Sequence, residues 1–153
     1  MKKLREILLI DDDEATNFLN QRLLRSLGIT EQVTVQLNGE VAYNYLLETW
    51  QKDKTRPELI ILDHHMPVMD GLELMERLGH KGLLNEVSVL FLLLAVDSSK
   101  EQIQLFKEAG VQEFTDKPLC KETVMEAYAK YWAGDTVQNH RQEQEGLNEN
   151  NTK

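Results

Sequence analysis

The sequence predicts a three-layer α/β domain built on a five-stranded parallel sheet. Two observations carry that expectation: short, continuous apolar runs rich in Val, Ile and Leu, and stretches of helical periodicity that alternate strictly with them. Continuous runs, unlike alternating ones, mark strands covered on both faces. Strict alternation implies right-handed crossovers, hence a parallel sheet with helices on both sides.

The first apolar run covers residues 6–10 and is followed by a helical pattern over residues 16–27, ending at Gly28. The run at 33–37 leads to a helix over 40–51, and the run at 59–62 to a helix over 71–78 with Gly79 behind it. A fourth run, 87–94, precedes a helix over 99–109 ending at Gly110, and Ser98 with Glu101 three residues later reads as its capping box. The fifth run, around 111–115, precedes a helix over 121–132 whose apolar stripe is Val124, Tyr128 and Tyr131, with Gly134 beyond. Glycine just past a helix is the expected stop signal.

With 153 residues, 41% of them hydrophobic, the chain suffices for one domain with a full core and is short for two. Residues 1–132 are expected to form that domain. Residues 133–153 are rich in Gly, Asn, Gln and Glu, with only Val137 and Leu147 as branched aliphatics, and read as a disordered polar tail. The net charge of -9 argues against direct nucleic-acid binding, which wants clustered Lys and Arg. No apolar run approaches the ~20 residues of a membrane span. A lone Cys120 and the lack of a signal-type N-terminus point to a reducing cytoplasm.

Three charged clusters fall where strands stop: Asp11-Asp12-Asp13, Asp63, and Lys117-Pro118. In an open parallel sheet the strand carboxyl ends share one edge, where ligands bind. Neighbouring carboxylates repel unless a cation neutralises them, and hard oxygen ligands with room for water suit Mg²⁺. Asp11, Asp12 and Asp63 therefore make a candidate Mg²⁺ site, whereas Asp13 and Glu14 read as solvated surface. An Asp beside Mg²⁺ can attack phosphorus to form an acyl phosphate, with a lysine ammonium on the transferred oxygens. Asp63 would attack, and Lys117 would bind carboxylate or phosphoryl oxygen.

Leu8-Leu9-Ile10-Asp11-Asp12-Asp13, then Leu62-Asp63-His64-His65-Met66-Pro67-Val68-Met69-Asp70-Gly71, then Asp116-Lys117-Pro118-Leu119, resemble the receiver domain of two-component response regulators. The resemblance spans about residues 4–132. It implies the flavodoxin-like strand order 2-1-3-4-5 and phosphoryl transfer from a sensor histidine kinase or phosphotransfer protein to Asp63, with slow autodephosphorylation. It further implies Mg²⁺ bound by Asp12, Asp63 and the backbone carbonyl of His65, and by Asp11 through water. The output would pass to a protein partner at the surface, making the chain a signalling switch rather than a metabolic enzyme. A hydrolase working through an aspartyl phosphate usually has a second acid two residues after the nucleophile, where this chain has His65.

The resemblance breaks at the fourth strand. The family places a Thr or Ser at its end, where counting back from Gly110 puts Ala95; a slip of one residue puts Leu94 there, equally without a hydroxyl. A charge-assisted hydrogen bond of about 1.5–3 kcal/mol is thereby missing. Val96, next along, stands where the family often has a small residue. Phe114 occupies the aromatic switch position, and reads equally well as plain core. His64 and His65 are treated as loop residues shaping the pocket, because successive residues leaving a strand point to different sides. The alternative to a phosphoryl-accepting receiver is a phosphorylation-independent interaction module with a degenerate switch.

Overall fold

The computed structural model describes residues 2–51, 57–84, 89–96 and 98–132. Among the described residues ten elements alternate: β1 Ile7–Ile10, α1 Glu14–Leu27, β2 Val33–Gln36, α2 Gly39–Gln51, β3 Leu59–Asp63, α3 Gly71–His80, β4 Leu90–Ala95, α4 Lys100–Ala109, β5 Glu113–Asp116 and α5 Lys121–Tyr131. The tail expected over residues 133–153, Gly134 and the expected start of the fourth strand at Val87 lie outside the described residues.

All five strands pair in parallel in the order β2-β1-β3-β4-β5. The central strands β1, β3 and β4 are buried throughout, and the edge strands β2 and β5 are only partly covered. That gradient explains the composition: strands covered on both faces need apolar residues at every position. On one face Leu8, Ile10, Ile60, Leu62, Phe91 and Leu93 pack with residues of α2, α3 and α4, including Leu46, Leu74 and Phe106. Residues of the opposite parity, among them Ile7, Leu9, Ile61 and Leu92, are equally buried, and α1 contacts β1 and β2.

Several boundaries differ from those read in the sequence. Helix α1 starts at Glu14 because Asp13 is its N-cap, accepting hydrogen bonds from the backbone N–H and the hydroxyl of Thr16. Asp13 is exposed, as expected of solvated surface, but it also serves the helix end. Gly79 does not end α3. The helix runs on to His80, and the left-handed turn falls instead at Gly82, with φ 72°. The cap of α4 is Ser99 rather than Ser98, its side chain accepting from the N–H of Gln102 at 3.1 Å. Ahead of β5, the Gln112 side chain takes the place of a strand neighbour: its Oε1 accepts from Phe91 N at 2.8 Å and its Nε2 donates to Val89 O at 3.4 Å.

The chain divides into two compact units, the larger being Lys3–Leu119, which holds the whole sheet and the first four helices. In the other unit α5 buries Val124, Ala127 and Tyr128, and the Tyr128 hydroxyl donates to the carbonyl of Lys2. No helix among the described residues is long and apolar enough to cross a membrane.

Candidate functional site

The strand order makes β1 and β3 neighbours although β2 lies between them in sequence, so the winding reverses at their carboxyl ends. Asp11, directly after β1, continues the ladder by donating its N–H to Gln36 O at 3.2 Å, and Asp63 is the last residue of β3. Both are nearly buried, at 4% and 7% exposure, whereas Asp12 is exposed. Carboxylate oxygens of Asp11, Asp12 and Asp63 all lie within 4.8 Å of one another. Lys117, just past β5, enters the same space: its Nζ is 2.9 Å from Asp63 Oδ1 and 3.4 Å from Asp11 Oδ2. Its backbone N–H is held by Ala95 O at 3.1 Å.

Electrostatics strain this group toward a cation. Burial pushes the Asp11 carboxyl above its ordinary value and the Asp63 charge adds to that, while the Asp13 N–H and Lys117 counter it only in part. Burial works against the Lys117 ammonium, yet hydrogen bonds and charges from Asp63 and Asp11 outweigh it and leave its pKa raised. Among the described residues, three carboxylates thus cluster where one ammonium pairs with two of them. An all-oxygen donor set with one exposed member suits a small hard ion that keeps waters, and the residues present fit Mg²⁺.

The loop from Asp63 to α3 is folded tightly over the strand end. Gly71 N donates to His64 O at 2.9 Å, and a Cβ on Gly71 would lie 2.6 Å from Asp63 O, so only glycine fits. Asp70 caps α3 through Oδ1 and the N–H of Glu73 at 2.9 Å. These contacts give the Asp-Gly pair its physical role. Met69 N donates to Pro67 O at 2.8 Å across Val68, whose φ is 72°: a γ-turn with a β-branched residue in the left-handed region. The far side of the loop is tied down where Gly39 N donates to Met69 O at 3.1 Å.

His65 sits in this loop two residues past Asp63, with an exposed side chain. Its ring lies 4.4 Å from that of His64, which meets Phe106 of α4 edge-on at 4.9 Å. Neither imidazole belongs to the carboxylate cluster among the described residues. Ala95 ends β4, pairing with Asp116, so the register places the methyl at the strand end. It borders a cavity of about 390 Å³ shared with Val96, Ile103, Phe114 and Lys117. Phe114 is half-buried against the α2–α4 core and lies beneath Lys107, whose Nζ is 5.8 Å from the ring centroid. Asn17, which sequence reasoning passed over, is buried on α1 and donates from Nδ2 to Asp11 O at 2.7 Å.

A family model described as the response regulator receiver domain matches residues 7–129. The chain belongs to the response regulator receiver family. This receiver is 30% identical over 131 residues to the two-component response regulator ORR41 of Oryza sativa subsp. japonica, an alignment covering 85% of this chain and 96% of that protein. A two-component response regulator from Cytophaga hutchinsonii superimposes with a TM-score of 0.75 at 27% identity, covering 85% of this chain and 98% of that one. The receiver domain of the histidine kinase CKI1 from Arabidopsis thaliana, solved with Mg²⁺, shares the fold at a TM-score of 0.67 and 22% identity, over 74% of this chain and 83% of that one. Receivers of this family are signalling modules of two-component systems.

Proposed function

We propose that this receiver takes a phosphoryl group onto Asp63 from a phosphohistidine of a sensor kinase or phosphotransfer protein. The observation that carries the reading is the meeting of Asp63 with Lys117 at 2.9 Å beside the carboxylates of Asp11 and Asp12. An Asp63 oxygen attacks phosphorus, the phosphorus–nitrogen bond of the donor breaks, and the imidazole nitrogen leaves with the electron pair. Lys117, already paired with the nucleophile, moves its hydrogen bond to an oxygen of the transferred group. Asp12, Asp63 and the His65 carbonyl would hold Mg²⁺, with Asp11 acting through water, and the ion would offset the charge on those oxygens. Later attack by water on phosphorus releases inorganic phosphate and restores the carboxylate.

Incubation with Mg²⁺ and acetyl phosphate tests the reading by intact mass. A phosphoryl adduct on the wild type that is absent from Asp63→Asn is expected; an unmodified wild type, under conditions that preserve the adduct of a known receiver, refutes it.

A second reading rests on Ala95. With no hydroxyl at the end of β4, acceptance has no donor there to couple it to α4, and the fold could serve as a phosphorylation-independent interaction module. Its signature is partner capture that is unchanged by Asp63→Asn.

A further inference from the structure

Outside the groups that would touch phosphate or metal, Asn17 on α1 stands apart. It is 4% exposed, its Nδ2 donates to the Asp11 carbonyl at 2.7 Å, and its Oδ1 is buried with no hydrogen-bond partner among the described residues. A buried, unpaired amide oxygen opposes folding, and an apolar side chain of the same size would remove that penalty. Stability alone therefore does not account for this side chain.

The one hydrogen bond of its side chain among the described residues falls at a sensitive place. Asp11 is anchored through its N–H to Gln36 O at 3.2 Å, through Oδ1 to Asp13 N at 2.9 Å and through Oδ2 to Lys117 at 3.4 Å. The carbonyl bond from Asn17 adds the remaining anchor and fixes the plane of the Asp11–Asp12 peptide. Asp12 is the exposed member of the carboxylate cluster, so the direction in which it leaves the backbone depends on that plane.

We infer that Asn17 is a positioning residue for the cation site: by holding the Asp11 carbonyl it aims the Asp12 carboxylate toward those of Asp11 and Asp63. This rests on the Mg²⁺ reading above.

The test compares wild type, Asn17→Leu and Asn17→Ala by Mg²⁺ titration calorimetry and by thermal unfolding in EDTA. The dissociation constant for Mg²⁺ is expected to rise about tenfold in both variants, a size typical of residues that orient metal ligands. Asn17→Leu is expected to unfold in EDTA at the wild-type temperature or above it, and Asn17→Ala below it, because alanine leaves a gap. Stability and affinity should thus part company. A folded variant that binds Mg²⁺ within about twofold of the wild type overturns the assignment. So does an affinity loss that follows the unfolding temperature across the pair. Failure of the wild type to bind Mg²⁺ refutes the site reading itself and this inference with it, whereas equal binding by all three refutes the inference alone.

Discussion

Lys117 Nζ and Asp63 Oδ1 stand 2.9 Å apart, joining the ends of β5 and β3 past the end of the β4 strand that separates them. The same ammonium reaches Asp11 at 3.4 Å, so one cation holds two nearly buried carboxylates together. Removing it leaves both without their partner.

Lys117→Met should therefore lower the unfolding free energy in EDTA at neutral pH by about 1–3 kcal/mol, the penalty of a partly buried charge left unpaired. The pairing raises the Lys117 pKa above 10.5, so its contribution is fully present below that pH and fades as pH rises through the raised value. Urea unfolding of the two proteins at pH 7 and pH 11 checks both points: the gap should narrow at the higher pH. Equal stability at pH 7 would count against the ion pair.

The pKa of Asp11 is shifted in the opposite direction from that of an ordinary salt-bridged carboxylate. Its folded pKa is raised above 3.8, chiefly by burial. The stability tied to its proton is fully present below 3.8 and is lost as pH rises through the raised value. In EDTA at pH 7, Asp11→Asn should unfold about 2–4 °C above the wild type, and the gap should close near pH 4. Saturating Mg²⁺ should reverse the order, because the ion stabilises only the protein whose site is intact. Thermal melts across pH with and without Mg²⁺ measure this, and a pH-independent gap would contradict it.

The Asp70-Gly71 pair separates into two unequal roles. Gly71→Ala drives a Cβ into the Asp63 carbonyl and should destabilise by about 1–3 kcal/mol, while displacing Asp63, the proposed phosphoacceptor. Asp70→Ala removes only the α3 cap, at about 1 kcal/mol. Denaturant unfolding together with acetyl-phosphate labelling tells them apart: only Gly71→Ala should lose labelling out of proportion to its stability.

Val68→Asn should stabilise the fold by about 1 kcal/mol. Valine at φ 72° meets a steric penalty that asparagine largely escapes, and the side chain is 73% exposed, so little packing is lost. An unchanged or lower denaturation midpoint would mean that the surrounding loop relieves the strain.

Particular residues explain what could be read from the sequence. Asp11 and Asp63 were legible because each stands at the end of an apolar run, and Lys117 because it follows the Phe114 segment at a fifth strand end; parallel strands bring such ends to one edge. Asn17 was not: a polar residue inside an amphipathic helix reads as solvated, and only the three-dimensional position of the Asp11 carbonyl reveals its partner. The α4 cap slipped by one because Ser98 and Ser99 are equally capable caps, and the backbone decides between them. Gly79 misled because a glycine in a last helical turn is tolerated when another glycine two or three residues later takes the left-handed turn. Gln112 standing in for a strand neighbour has no periodic signature at all.

The ion pair between Asp11 and Lys117 spans 106 residues of sequence. During synthesis the acidic half of the pocket is complete once the third strand has joined the sheet, but its ammonium arrives only with the end of the fifth. A chain truncated before Lys117 would therefore carry the clustered carboxylates without that ammonium. The charge balance of the pocket is in this way tied to completion of the fold.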